Sequence, residues 1–398
     1  MKKIQVRDLR LGMYIHEICG SWMEHPFWKS TFKLDSREDL ATLQSSGIKE
    51  VWIDTARGLD VAPTTAAISK EVARTQVEAV LNEASEAPPA EARRSFQEEV
   101  EQARRIHARA KQAVTSMFQE VRMGRALQVE EAVDLVEDIH QSISRNSGAL
   151  LSLARLKNKD NYTYLHSVAV CALMIALGKQ LGIEGDALRH LGMAGLLHDV
   201  GKMLIPDAIL NKPGRLTEAE FDTIKSHPQL GFEVLEGTQR LNDAVLEVCL
   251  HHHERTDGQG YPGKHSGNDL SLYARMGAVC DVYDAITSER CYKKGWEPAM
   301  AIRKMAEWQE GHFDLRIFHA FVKTVGIYPV GSLVKLKSGR LGVVVDQNGK
   351  SLITPIVKVF FSEQANAHIP PELVDLSDAQ DAIVGPEDPQ KWGFNLSA

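Results

Sequence analysis

Between Asn161 and Tyr292 the sequence concentrates residues able to hold metal ions. They are His166, the adjacent pair His198-Asp199, His227, the run His251-His252-His253 and Asp281, each in a segment of helical character. Imidazole nitrogens are neutral ligands and a carboxylate can bridge two cations, so such a set can satisfy more than one divalent ion. The chemistry it suits is metal-assisted hydrolysis. His198-Asp199 closes the apolar run Met193–Leu197, and Asp281 follows Met276–Cys280. A charged carboxylate is costly to bury there unless it is paired or metal-bound, and a bridging role for Asp199 resolves that cost. Asp284, three residues after Asp281, shares one side of a helix with it. One of the two can bind metal while the other orients a water or a ligand histidine. Taken alone, His166 reads as a structural histidine, and the His198-Asp199 pair reverses that reading.

The elements that must position these residues are nearly all helical. Helices are expected over 163–180, 185–199, 218–235, 243–253, 272–289, 298–310 and 314–325, with Thr217 and Glu220 as a capping box and Pro298 in a first turn. Ahead of them, residues 1–60 read as a small α+β domain, with strands at Ile4–Val6, Met13–His16 and Val51–Ile53 and a helix from Ser36 to Leu43. Trp22, Phe27 and Trp28 are expected to pack against its sheet. The Pro-, Ala- and Glu-rich stretch 61–94 reads as a partly ordered linker with a helix from Ser69 to Leu81.

Residues 95–154 form a helical connecting segment with apolar positions at Ala113, Met117, Val121, Ala126, Val129, Ala132, Val136 and Ile139. It is either an input or dimer helix or a layer docked on the bundle. The main helical domain is placed at 155–327. After Tyr328-Pro329, runs at 331–336, 341–345 and 356–361 predict a small β module, and the tail from Ser377 reads as weakly ordered or laid across the surface. Lys335, Lys337 and Arg340 read as a solvated sheet face. The expected fold class is mainly α, a helical bundle with a small N-terminal α+β domain and a small C-terminal β module and tail over 328–398.

With 398 residues, two or three domains are expected. A net charge of -7 and a pI near 6.1 argue against binding to nucleic-acid polymers or anionic membranes over the whole surface. No apolar run follows Met1-Lys2-Lys3 and no stretch reaches membrane-spanning length, so neither a signal peptide nor membrane insertion is expected and the compartment is expected to be cytoplasmic. The five cysteines, Cys19, Cys171, Cys249, Cys280 and Cys291, are scattered without a CxxC pair and read as reduced small hydrophobes.

Taken together, His166, His198-Asp199 and Asp281, then His227, His252-His253-Glu254, Asp257–Pro262 and Asp281–Ala285 with Thr287-Ser288 and Arg290, resemble the HD-GYP family of HD metal-dependent phosphohydrolases. The resemblance runs over roughly residues 155–325 and is specific because several motifs fall in the right order. It implies hydrolysis of the second messenger cyclic di-GMP to linear pGpG, GMP or both, with His166, His198, Asp199, His227, His252, His253 and Asp281 as metal ligands. It implies Lys202, Arg290 and Lys293 for substrate phosphates and Asp284 as a site carboxylate. His251 is the least expected ligand of its run.

Members holding three metals have a glutamate four residues before the first histidine; Tyr162 stands there, so two divalent ions are expected, iron first and manganese second. The segment Val6–Ile15 with Ser21-Trp22 and His25–Phe27 resembles the small domain often placed before HD-GYP domains. In this reading a hydroxide shared by the two metals attacks in line. Lys202 holds a nonbridging oxygen or assists the leaving one, and Arg290 and Lys293 grip the second phosphate. Tyr261 either packs the loop Asp257–Pro262 or touches substrate. Homodimer and signalling-protein contacts are further expected partners. Alternatives are a sensor that binds cyclic di-GMP without turnover, and the same metal chemistry on another cyclic dinucleotide or a phosphomonoester.

Overall fold

The computed structural model describes all residues except 20–30, 47, 63–64, 86–93, 128, 155–161, 213, 215, 239–240, 289–294, 349–350 and 395–398. Two compact units emerge, Met1–Asn82 with Ala306–Glu310, and Glu83–Met305 with Gly311–Ala398. The expected class holds, a mainly helical core with a small β-sheet module before it and another after it.

In the first unit, β1 (Lys2–Gln5), β2 (Tyr14–Ile18), β3 (Phe32–Lys33), β4 (Glu50–Ile53) and β5 (Ile68–Ser69) form an antiparallel sheet in the order β3-β2-β4-β1-β5. Ile4, Ile15, Val51 and Ile53 lie in its core beside Leu43 of α1 (Arg37–Ser45), whose N-cap is Ser36. The stretch expected as a linker supplies β5, paired with β1, and α2 (Lys70–Ser85). A two-residue strand leaves no alternation to read. Trp22, Phe27 and Trp28 lie outside the described residues.

The second unit begins with α3 (Phe96–Arg122), α4 (Glu130–Arg145) and α5 (Ser147–Ala154). Of the two expectations for this segment, docking is what the structure shows, since α3 packs on α5 and α6 (Tyr162–Gln180), and α4 packs on α6 and α7 (Gly185–Leu197). Ala103, Ile106, Ala110, Val114, Met117, Phe118 and Val121 form the buried stripe of α3, whereas Ala126 is exposed between helices. Every residue from Leu165 to Gly178 is buried, so α6 is the central helix of the bundle.

After α6 come α7 and, following a 3-10 turn at Val200–Leu204, α8 (Asp207–Leu210), α9 (Glu218–Lys225), α10 (His227–Glu236), α11 (Asp243–His251), α12 (Leu272–Thr287), α13 (Pro298–His312) and α14 (Leu315–Val325), of which α7, α12 and α14 pack on α6. The helix expected over 218–235 is two helices, broken at Ser226, and Pro228 lies in the first turn of the second. Proline at a first turn loses no intrahelical bond and presets the backbone, so it starts α10 afresh.

At the C-terminal end of the chain, β6 (Leu333–Leu336), β7 (Arg340–Asn348), β8 (Ser351–Ser362), β9 (Ala367–Asp375) and β10 (Ile383–Pro386) form a sheet ordered β10-β6-β7-β8-β9. The tail from Ser377 therefore contributes an edge strand, β10, rather than a loose extension. Pro370 and Pro371 are tolerated in β9 because it too is an edge, with a register shift at that point. Lys335 pairs with Glu363, and Arg340 pairs with Glu372 and Asp381, as a solvated sheet face would. Among the described residues no helix is long and apolar enough to cross a membrane.

One buried carboxylate ties α3 to α4. Glu99 accepts from Ser142 Oγ at 2.9 Å and from Arg145 Nε and Nη2 at 2.8 Å each. Removing it strands a partly buried guanidinium. Glu99→Ala is expected to lower the stability of the helical unit by about 3 kcal/mol, read as a shift in the urea midpoint. An unchanged midpoint would deny that ion pair its role.

Candidate metal centre

His166 projects from the second turn of α6, His198 and Asp199 end α7, His227 opens α10, His252 and His253 follow α11, and Asp281 and Asp284 lie in the middle of α12. All eight are buried. Close approach of the elements depends on small residues. A Cβ on Gly195 would stand 2.8 Å from Cys171 Cα, and one on Gly201 would stand 2.0 Å from His227 O. Without a side chain at Gly201, the turn after Asp199 can lie against the start of α10.

Backbone carbonyls fix the rings. His198 Nδ1–H donates to Gly195 O at 2.8 Å, His227 Nδ1–H to Ile224 O at 2.7 Å, and His252 Nδ1–H to Val248 O and Cys249 O at 3.0 Å. His166 Nδ1–H donates to Asp284 Oδ2 at 2.6 Å. Each ring therefore turns Nε2 inward, the second-shell arrangement that fixes the tautomer of metal-ligating histidines.

Asp199 lies between two histidine pairs. Its Oδ2 is 3.4 Å from Nε2 of both His166 and His198, while Oδ1 is 3.3 Å from His227 Nε2 and 3.8 Å from His252 Nε2. Asp281 Oδ1 is 3.0 Å from His166 Nε2, and Oδ2 is 3.6 Å from His253 Nδ1. Two ligand groups result, His166, His198 and Asp199 in one, and Asp199, His227, His252 and His253 in the other. Lys202 Nζ donates to Asp199 Oδ2 at 2.5 Å, and Tyr261 stacks on His253 with centroids 4.7 Å apart.

Charge follows this geometry. Burial would raise Asp199, but Lys202 and the facing imidazoles hold its carboxyl well below the usual range. Asp281 is likewise held low against its burial by His166, His198 and His253. Burial depresses His227, His252 and His253, and the neighbouring imidazoles help to take His252 down to about 3. His166 behaves oppositely: burial lowers it, yet Asp199, Asp281 and Asp284 outweigh that and push it up to about 9.

These facts test whether the site suits metal. At His227 and His252 both Nδ1–H groups are engaged and both rings are held neutral, so two Nε2 lone pairs face each other at 3.3 Å. Asp199 Oδ1 beside them has no hydrogen-bond partner. Facing lone pairs and a buried, unpartnered anion oxygen are relieved together by a cation between them. The donor set fits a divalent transition ion in each group, with Asp199 shared.

The expected residues His166, His198, Asp199, His227, His252, His253 and Asp281 thus come together, with Lys202 and Tyr261 at the edge. Arg290 and Lys293 lie outside the described residues. His251 is set apart from the cluster, and it groups instead with Glu254 and His265. His265 went unread because nothing in the spacing of the other histidines points to it.

A helical bundle carrying paired histidines around a shared HD aspartate defines the class of HD-type metal-dependent phosphohydrolases. Residues 139–317 match the family described as HD domain, and residues 1–132 match a domain of unknown function, DUF3391. The chain is 55% identical over 397 residues to the cyclic di-GMP phosphodiesterase PA4108 of Pseudomonas aeruginosa, covering 99% of this chain and 94% of that one. It is 37% identical over 203 residues to the cyclic di-GMP phosphodiesterase response regulator RpfG of Xanthomonas campestris, with about half of each chain covered (50% and 53%). A 3'3'-cGAMP-specific phosphodiesterase of Vibrio cholerae is 30% identical over 189 residues, 47% of this chain and 36% of that one. The chain belongs to the HD-GYP family.

The pKa shifts predict how metal-free protein responds to pH. Below about 6.5, the ordinary value, the unfolded chain takes up protons that folded His227, His252, His253 and the buried His312 (about 3) refuse, so stability falls as pH drops. Above about 6.5, folded His166 keeps a proton that the unfolded chain releases, so its contribution is lost as pH rises toward about 9. Thermal melts of chelator-treated protein should therefore peak near pH 6.5. A melting temperature independent of pH between 5.5 and 9 would contradict the charge states described.

Proposed function

We propose that the chain hydrolyses the phosphodiester bonds of cyclic di-GMP at the Asp199 cluster, yielding linear pGpG, GMP or both. The observation that carries this reading is the division of Asp199 between two inward-facing histidine pairs. The substrate is supported by the relative that matches nearly the whole chain and is named for that activity.

His166, His198, Asp199 and Asp281 would hold one divalent ion, and Asp199, His227, His252 and His253 the other. When bound, such a pair makes water acidic enough to yield a nucleophile near neutral pH and offsets charge on the phosphoryl group. We assign iron as the native metal and manganese as its substitute, a choice that the nitrogen and carboxylate donors admit. Asp199 would be common to both sets, with Oδ2 toward His166 and His198 and Oδ1 toward His227 and His252. Asp284, expected among the catalytic carboxylates, holds His166 Nδ1–H and acts on the chemistry through that ring.

Lys202 is the cation nearest the cluster among the described residues named for substrate. Its side chain is 18% exposed and its ammonium lies on Asp199 Oδ2, so it can turn to a nonbridging oxygen or to the leaving oxygen. Arg290 and Lys293 are assigned to the second phosphate of the dinucleotide on their sequence positions. Tyr261 places an aromatic face beside His253 where a base or ribose can rest. Homodimer and signalling-protein contacts, where made, fall outside the α3 stripe, which is buried in the bundle.

Turnover by anaerobic protein loaded with iron or manganese, with nucleotide products and metal content read in one sample, tests the reading. Asp199→Ala should lose both metal occupancy and activity, the latter by roughly 100-fold or more, as loss of a ligand shared by two ions implies. Lys202→Ala should keep its metal while kcat/KM falls roughly 10- to 100-fold, as loss of a charge-assisted phosphate contact implies. Full turnover by Asp199→Ala would sink the shared-ligand role. Bound but uncleaved cyclic di-GMP on metal-replete protein would make the chain a sensor, and faster cleavage of 3'3'-cGAMP would change its substrate.

A further inference from the structure

Beside the residues assigned to the metal pair lies a second set of donors. His251 is the last residue of α11, Glu254 follows His253, and His265 stands in the loop that leads to α12. One ligand atom from each lies within 4.8 Å of the others. Glu254 is only 2% exposed. Its Oε1 accepts the Gly263 N–H at 2.6 Å, whereas its Oε2 is buried without a hydrogen-bond partner. His251 Nδ1, 4.0 Å from Glu254 Oε1, is also buried without one. The His251 and His265 rings meet edge to face with centroids 5.0 Å apart.

We propose that His251, Glu254 and His265 form a further binding site, separate from the Asp199 cluster, for one divalent transition ion of the zinc type. A carboxylate that served only to anchor the loop would be satisfied through Oε1. That role leaves Oε2 and His251 Nδ1 buried and idle, and burying polar atoms without partners is unfavourable. A cation between them removes both defects at once. Two imidazoles and one carboxylate suit Zn2+, Co2+ or Ni2+, while Mg2+ and Ca2+ favour all-oxygen sites. His265 is exposed, so the ion has a path from solvent and room for water as a further ligand.

Position gives the site its consequence. His251 and Glu254 lie at one end of the segment 254–265 and His265 at the other, so a bound ion fastens that loop to the end of α11. The loop carries Tyr261, which rests on His253. The ion would hold the wall of the catalytic cleft rather than take part in bond cleavage. This inference stands apart from the choice of substrate and from the metals of the Asp199 cluster.

The test uses the full chain and zinc alone. Zinc content after gel filtration is measured for the parent, His265→Ala and His265→Gln proteins, and for Asp199→Ala with and without His265→Ala. Both His265 variants are expected to carry one equivalent less than the parent, and Asp199→Ala should retain that equivalent until His265 is also removed. Hydrogen exchange over residues 256–265 should slow on zinc addition in the parent and Asp199→Ala proteins only. Equal zinc content with and without His265 in both backgrounds overturns the site. A lost equivalent with unchanged exchange overturns the fastening of the loop. Since His265 is exposed, metal-free melts should match those of the parent and separate metal loss from misfolding.

Discussion

A fully buried carboxylate, Asp199, surrounded by imidazoles and one ammonium, is the constraint to which the rest of the helical unit answers. An anion at such depth is unfavourable without compensation, and compensation here comes from five side chains on four elements. His166 arrives from α6, His198 and Lys202 from the end of α7 and its following turn, His227 from α10 and His252 from behind α11. None of these elements can shift alone without leaving an oxygen of Asp199 uncompensated. Close packing of the bundle and precision of the site are therefore one requirement.

Two features of the chain meet that requirement. The first is the use of residues without side chains where backbones must touch. Gly195 lets α7 lie on α6, and the pair Gly201 and Gly231 lets the Lys202 turn lie on α10. The second is the assignment of the His166, His198, His227 and His252 rings to a backbone carbonyl or to Asp284, which prevents these four imidazoles from satisfying themselves locally. Their Nε2 atoms face inward as a result. In the His227 and His252 pair the outcome is electrostatically unfavourable until a cation enters, the expected signature of a site whose stability and metal affinity are linked.

Much of this was legible in the sequence because carboxylates at the ends of apolar runs are conspicuous. Asp199 after Met193–Leu197 and Asp281 after Met276–Cys280 announce buried charge, and the ordered motifs around them limit what that charge can serve. The spacing of Asp281 and Asp284 also places both on one side of α12, though it does not say which faces the histidine cluster and which lies behind His166. That division follows from His166, which presents Nε2 to Asp281 and Nδ1 to Asp284. Less legible were the short elements. A two-residue β5 and the strand from Ile383 depend on partners distant in sequence, and local pattern carries no record of those, whereas the break at Ser226 has a local signal in Pro228. His265 escaped for the same reason, since its neighbours in space are His251 and Glu254 rather than another histidine in a recognisable spacing.

The same distinction explains why family boundaries and structural boundaries fall in different places. The N-terminal family match runs to residue 132, past the end of α3 and into α4, whereas the compact N-terminal unit ends at Asn82. Helix α3 is thus shared with the N-terminal family in sequence but built into the helical unit in space. Glu99 near its start fixes it to Ser142 and Arg145, its centre packs on α5 and α6, and Arg122 at its end pairs with Asp207 just beyond the Lys202 turn. It also packs directly on that turn. A helix of 27 residues held at both ends behaves as a strut, so the position of Lys202 against Asp199 rests in part on residues that sequence comparison groups with the preceding domain. The physical reason is its buried stripe, from Ala103 to Val121, on a helix that packs on α4, α5, α6 and the Lys202 turn within the helical unit.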